Sequence, residues 1–278
     1  MFTLNSLADY QIFDEFVCRA TAKKVGPSSA YGTFMANAFQ TLEHRDNGAK
    51  LLAALTDLRL TYAFIAQENG VVAGNWNSKI SGIAHNELSD SLPDTLEDFW
   101  MFETKLDMLK SAISVITLAR SFWDKYLGFL ILLNEPDKYE RYHSANSKKK
   151  AFRKIVAKWS DLPKGLQHSL VMDFQSIPPL YRDFVDRFYA SEFFPDPAVD
   201  ILMKKIERLD KARTPEIHGT GSLRKHALAV LPIEKSLEVT VALNTWNDVN
   251  SAMNSLRHEL CNVPLIDLKA TPIYLGTA

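Results

Sequence analysis

Arg213 and His218 lie in the run Arg213-Thr214-Pro215-Glu216-Ile217-His218, the densest chemistry in the chain. Histidine titrates near neutral pH, so it can move a proton. Arginine holds a non-bridging phosphate oxygen and stabilises charge that grows in a transition state. An RNA strand carries its own nucleophile, the 2′-hydroxyl. A proton acceptor and a phosphate clamp therefore suffice for its cleavage without a metal.

The flanking residues predict how the pair is held. Thr214 reads as an N-cap and Pro215 as the first residue of a new helix. Glu216 then falls in the first turn, where the helix dipole favours a negative side chain. On an uninterrupted helix, residues five apart point about 140° away from each other. A helix start between Arg213 and His218 relaxes that constraint, and free N–H groups at the start suit a phosphate. Gly219-Thr220-Gly221-Ser222 loosens the backbone, and Arg224, Lys225 and His226 restore positive charge. Thr214, Glu216, Arg224 and Lys225 are thus candidates for substrate binding. The alternative is a purely structural role, with Arg213 paired to Asp210 or Glu216 and His218 capping a neighbouring carbonyl.

Other constellations are poorer. His258-Glu259-Leu260-Cys261-Asn262 begins like a zinc-protease motif, but Asn262 stands where the second histidine belongs. Glu97, Asp98, Glu103 and Asp107 have no Glu-x-x-His partner and read as a solvated face. Arg120 and Asp124 read as an intrahelical ion pair or as a polar contact at a dimer seam. No Gly-x-Ser-x-Gly motif is present. No metal or cofactor is expected.

Positioning such a pair is the work of helices. Apolar residues at Leu7, Tyr10, Phe13, Phe16 and Val17 predict a helix over Leu7–Ala22, ended by Gly26-Pro27-Ser28-Ser29. Further helices are expected over about Ala30–His44 and Gly48–Asn69. Gly70 to Pro93 reads as an internal boundary, with Val71-Val72 as a short strand or part of a loop with broken helix. From Asp94 a long helical pattern runs to Leu133 and stops near Asn134-Glu135-Pro136. Its aromatics Trp100, Phe102, Phe122, Trp123, Tyr126 and Phe129 are too many for one face, which predicts burial on several sides or a helix-mediated dimer. Helices follow at Leu180–Ser191, Pro197–Ala212 and Ile233–Leu260. Strand-like alternation is confined to short pieces such as Leu237–Val241. The fold class is all-α.

Composition agrees with a soluble globular protein: 46% hydrophobic, 23% charged, net charge −1. A globally basic nucleic-acid binder is not indicated, so any such contact needs a local patch. Lys204, Lys205, Arg208 and Lys211 precede the Arg213 run. Arg141, His143, Lys148, Lys149, Lys150, Arg153, Lys154 and Lys158 form a second basic stretch. The two cysteines, Cys18 and Cys261, make no disulfide framework and suit a reducing cytoplasm. No secretory signal is read at the N-terminus, and Arg120, Asp124 and Lys125 interrupt the most apolar stretch, so no membrane span is expected.

A long aromatic-rich helix, further helices and a late Arg-x(4)-His element together resemble a HEPN domain over roughly Asp94 to Leu260. The resemblance implies a helical-bundle HEPN-like core with additional N-terminal helices. It divides the chain into an N-terminal region, 1–92, and a HEPN-like domain, 93–278, unless the two form one continuous domain. It implies a metal-independent endoribonuclease with His218 as general base or acid and Arg213 as phosphate binder. It also implies a homodimer, RNA as partner, and a toxin or anti-phage defence role with an antitoxin or regulatory protein. Thr214 departs from the Asn, Asp or His that often follows the arginine in that family, which bears on catalysis more than on fold. The alternative function is a non-catalytic helical module that binds a nucleotide, a nucleic acid or a protein partner.

Overall fold

The computed structural model describes residues 4–25, 34–75, 96–155, 197–217 and 237–261. Helices account for nearly all of them, and no strand occurs among the described residues. In chain order these are α1 (Leu7–Val25), α2 (Ala38–Glu43), α3 (Gly48–Asn75), α4 (Leu96–Asn134), α5 (Tyr139–His143), α6 (Lys148–Ile155), α7 (Pro197–Ile217) and α8 (Leu237–Cys261). A single 3-10 turn, Pro136–Lys138, links α4 to α5. The expected helix 180–191 lies outside the described residues. None of the described helices is long and apolar enough to cross a membrane.

The 39-residue α4 is the axis of the bundle. It packs against α3, α8 and α7, and its C-terminal half also meets α5 and α6. Phe122, Trp123, Tyr126 and Phe129 are each at most 1% exposed, so the expected burial on several sides is what the helix has. Their rings interlock: Phe122 stacks on Tyr126, and Trp123 stands edge-on to both. Full burial of a large apolar side chain stabilises by about 1.5–3 kcal/mol, which makes this aromatic run a main anchor of the fold.

Local chemistry sets the helix ends. Ser6 caps α1: its hydroxyl accepts the Asp9 N–H at 3.2 Å, and the Asp9 carboxylate accepts the Asn5 N–H at 3.0 Å. The first residue of α3 has to be glycine, because a Cβ on Gly48 would lie 2.4 Å from the Leu42 carbonyl oxygen. At the end of α4, three of the last four carbonyls, which lack intrahelical partners, find others. Ile131 accepts from the Glu135 N–H, Leu132 from the Asn47 amide and Leu133 from Arg45, while the Asn134 side-chain amide folds back to the Leu130 carbonyl. Pro136 then prevents continuation. Gly128 lets the Tyr142 ring approach α4, with 3.1 Å between an added Cβ and the ring, and the Tyr142 hydroxyl donates to the Asp124 carbonyl at 2.8 Å.

Several sequence expectations are corrected. α3 runs on to Asn75, so Gly70, Val71 and Val72 are helical, with Val72 and Ala73 buried. Core burial of that face outweighs the low helix propensity of its glycines. Leu237–Val241 opens α8 as helix, not strand. Of the helix expected over residues 30–44, residues 38–43 form α2 and a turn at 36–37 precedes it, while residues 30–33 lie outside the described residues.

One hydrophobic core continues from Tyr10 in α1 to Leu260 in α8. Polar links cross it. The Tyr62 hydroxyl donates to Asn250 at 2.8 Å, while Tyr62 stacks on Trp246. The Thr41 hydroxyl donates to the Leu260 carbonyl at 2.8 Å. The costliest element is a fully buried ion pair between Asp14 of α1 and Arg59 of α3. Asp14 also accepts the Met35 N–H, which fixes the approach to α2. Burial pushes the Asp14 carboxyl up, and Arg59 with the Met35 and Ala36 N–H groups opposes that rise. Removing one partner strands a charge in the core. Asp14→Leu should therefore cost about 3–5 kcal/mol in urea unfolding, while Asp14→Leu/Arg59→Met should recover most of that loss. A double variant no more stable than the single one would show that the pair does not act as a unit.

Candidate functional site

Arg213 lies inside α7, four residues before Ile217, not ahead of a new helix. Thr214, Pro215 and Glu216 continue the same helix, and Thr214 is exposed. The N-cap and helix start expected at Thr214–Pro215 are thus overturned. Pro215 has no N–H to give the Lys211 carbonyl, a loss that costs about 3 kcal/mol in a helix interior but less this close to an end. The buried stripe Leu202, Ile206, Leu209 and Ala212 docks α7 onto α4 and α8 and carries the helix past it. Arg213 consequently sits at a helix C-terminus, where the dipole is negative and no free N–H groups are offered. The helix-start reason for phosphate binding falls away. His218, Arg224 and Lys225 lie outside the described residues.

What the structure does bring together is a four-residue ionic cluster. Arg120 of α4 reaches Asp124, one turn on, at 2.6 Å, and its Nε donates to Asp210 of α7 at 2.8 Å. Arg213 approaches the same Asp210 oxygen with Nη2, at 3.9 Å. That distance is too long for a hydrogen bond. The Arg213 Nε is buried and has no hydrogen-bond partner, although the side chain as a whole is 35% exposed. Asp210 therefore belongs to Arg120, and Arg213 is loosely held. Burial works against the Arg120 cation, but Asp124 and Asp210 outweigh it and raise its pKa.

The expected Arg120–Asp124 pair is present, as is an Arg213–Asp210 contact. The missing inference was that Asp210 joins the two. Ninety residues separate Arg120 from Asp210, and no local spacing reveals such a contact.

Basic residues surround the cluster unevenly. On α7, Lys204, Arg208 and Lys211 are exposed, and Lys205 pairs with Asp248 of α8 at 2.6 Å. A small cleft between α4, α7 and α8 is lined by Trp123, Lys205, Arg208, Leu209, Val241, Thr245 and Asp248. On α6, Lys149 pairs with Glu207 of α7. Lys148 is structural: its ammonium donates to the carbonyls of Tyr142, His143 and Ala145, closing the end of α5.

The cysteines do not offer a nucleophile. Burial raises the Cys18 thiol and pushes Cys261 up to about 11, so neither is a thiolate at neutral pH. No His, Cys, Asp and Glu cluster with metal-ligand geometry occurs among the described residues. Glu103 and Asp107 are exposed, as a solvated face requires.

The ionic geometry has an energetic consequence. In double-mutant cycles of thermal or urea unfolding, the Arg120–Asp210 pair should couple by about 1 kcal/mol or more, and the Arg213–Asp210 pair by well under that. Equal couplings would mean that Arg213 is as firmly held as Arg120.

No protein-family model, curated protein or solved structure matches the chain.

Proposed function

We propose that the protein is an RNA-binding helical bundle of HEPN type that cleaves RNA without a metal, through Arg213 and His218. The observation that carries the reading is the state of Arg213. Its guanidinium is partly exposed, makes no hydrogen bond to Asp210, and keeps a buried Nε without a partner. An oxyanion at the solvent-facing part of such a guanidinium gains a charge-assisted hydrogen bond that Asp210 does not supply. Arg120 contributes indirectly by drawing Asp210 away from Arg213.

The chemistry follows from the residue types. Arg213 holds the scissile phosphate, and His218 takes the 2′-hydroxyl proton as that oxygen attacks phosphorus. The 5′-oxygen of the next nucleotide leaves and receives a proton. The products are a 2′,3′-cyclic phosphate and a 5′-hydroxyl. Thr214, Glu216, Arg224 and Lys225 are candidates for contact with the strand. A toxin or defence role and an antitoxin or other regulatory partner enter through the resemblance, and a reducing cytoplasm through the two unpaired cysteines. A homodimer does too, and it is supported by exposed apolar side chains on α1 (Ile12, Phe16) and α3 (Leu60, Phe64).

A second reading is a non-catalytic helical module that binds a nucleotide, a nucleic acid or a protein partner. It is favoured by the continuation of α7 through Thr214–Glu216, which removes the helix start that the catalytic pair was expected to use.

His218→Ala and Arg213→Ala should each slow cleavage of a mixed RNA pool in EDTA by about 100-fold or more, with the helical circular-dichroism spectrum unchanged. RNA bound but left intact by the parent protein would favour the module. Cleavage at the parent rate by folded His218→Ala would remove that residue from the site.

A further inference from the structure

Two arginines converge on one oxygen of Asp210. The Arg120 Nε of α4 donates to Asp210 Oδ1 at 2.8 Å, and the Arg213 Nη2 of α7 stands 3.9 Å from that same atom. Asp210 and Arg213 are three residues apart on α7, a spacing at which side chains of one helix meet. Their pairing is the local default, and α4 overrides it. Arg120 has the better hold for two reasons. Its side chain is 12% exposed against 35% for Arg213, so water and salt screen it less. Its Nη1 also reaches Asp124 at 2.6 Å, so one planar guanidinium bridges carboxylates on α4 and α7.

Arg213 is left with the weaker share. Its Nε is buried without a hydrogen-bond partner, and its Nη2 is beyond hydrogen-bond reach of Asp210. The two acids of the cluster are alike in every respect but one. Both hold Arg120, and they are 34% and 35% exposed, yet only Asp210 of the two pairs with Arg213.

We infer that Asp210 is an inhibitory carboxylate for the phosphate grip of Arg213, and that Arg120 is the positioning residue that keeps Asp210 occupied. The inference rests on the RNA reading above. A phosphate at Arg213 must compete with Asp210, which lies one turn away on the same helix and has only a 3.9 Å gap to close. With Arg120 in place, closing that gap costs Asp210 a charge-assisted hydrogen bond of 2.8 Å. Without Arg120 that cost disappears, and Arg213 is captured within its own helix. An ion pair this open to water is worth a factor of about 1.4 to 5. Arg120 therefore tunes the affinity of Arg213 and does not gate it.

The test is binding, so it does not depend on cleavage. A fluorescent single-stranded RNA of mixed sequence would be titrated in EDTA with protein carrying His218→Ala. Two pairs of variants on that background match in net charge. Asp210→Asn should bind at least about 2-fold tighter than Asp124→Asn, since only the first removes the competitor of Arg213. Arg120→Met should weaken binding by about 2- to 5-fold. Arg120→Met/Asp210→Asn should regain that loss, while Arg120→Met/Asp124→Asn stays at least about 2-fold weaker. A general effect of charge or of helix docking would move both members of each pair alike. The comparison of the two single Asp variants stands even where Arg120→Met fails to fold. Equal binding within the pairs, or weaker binding by Asp210→Asn than by Asp124→Asn, would overturn the inference. Arg213→Ala on the same background tests the reading beneath it. If RNA does not bind, or binds as well to Arg213→Ala, the reading and the inference fall together. Weaker binding by Arg213→Ala with equal binding within the pairs removes the inference alone.

Discussion

Burial of α4 on several sides is the constraint from which the rest of the bundle follows. A helix of 39 residues whose Leu127, Phe129, Leu130, Ile131 and Leu132 are all buried, and so point to every side, cannot be stable alone or against one partner. It needs α3 and α8 along much of its length, with α7, α5 and α6 covering what remains. The position of α7 is a result of that demand. Its stripe of Leu202, Ile206, Leu209 and Ala212 fills part of the space around α4, and the opposite face is thereby turned to solvent with Lys204, Arg208 and Lys211.

Two ion-pair systems of different character lie on this frame. Asp14–Arg59 is wholly buried, and the Arg59 Nε and Nη1 have no hydrogen-bond partner. Replacing such a pair with apolar groups is often neutral or stabilising, so its contribution lies in specifying how α1 and the approach to α2 meet α3. The Arg120–Asp124–Asp210–Arg213 cluster is partly open to water and is asymmetric. Three members are closely joined, and the fourth, Arg213, stands 3.9 Å off. A symmetric cluster would be a closed structural knot. The asymmetry leaves one guanidinium loosely held.

Much of the fold was legible in the sequence because helical periodicity is a local signal. The spacing of Leu51, Leu55, Leu58, Tyr62 and Ile65, and of Ile116, Ala119 and Trp123, is what the core uses. The stop at Asn134-Glu135-Pro136 was equally readable. Errors arose where packing overrides local preference. Val71 and Val72 look strand-like but continue α3, and Thr214-Pro215 has the chemistry of a helix start yet falls inside the end of α7. The candidate site was legible only in its residue types. Joining Arg120 to Asp210, or Lys149 to Glu207, requires contacts between residues 90 and 58 positions apart, which no short motif encodes. The Asp14–Arg59 pair was missed for the same reason.

The proposed cleavage uses the substrate's own 2′-hydroxyl as nucleophile, with Arg213 on the phosphate and no metal. The most direct test is to incubate the protein in EDTA with one RNA strand in two forms, unmodified and 2′-O-methylated throughout, and to determine the product ends by mass spectrometry. The account expects the unmodified strand to be cut, leaving 2′,3′-cyclic phosphate and 5′-hydroxyl ends, and the methylated strand to stay intact. Cleavage of the methylated strand, 5′-phosphate ends, or activity that appears only with a divalent metal would contradict it.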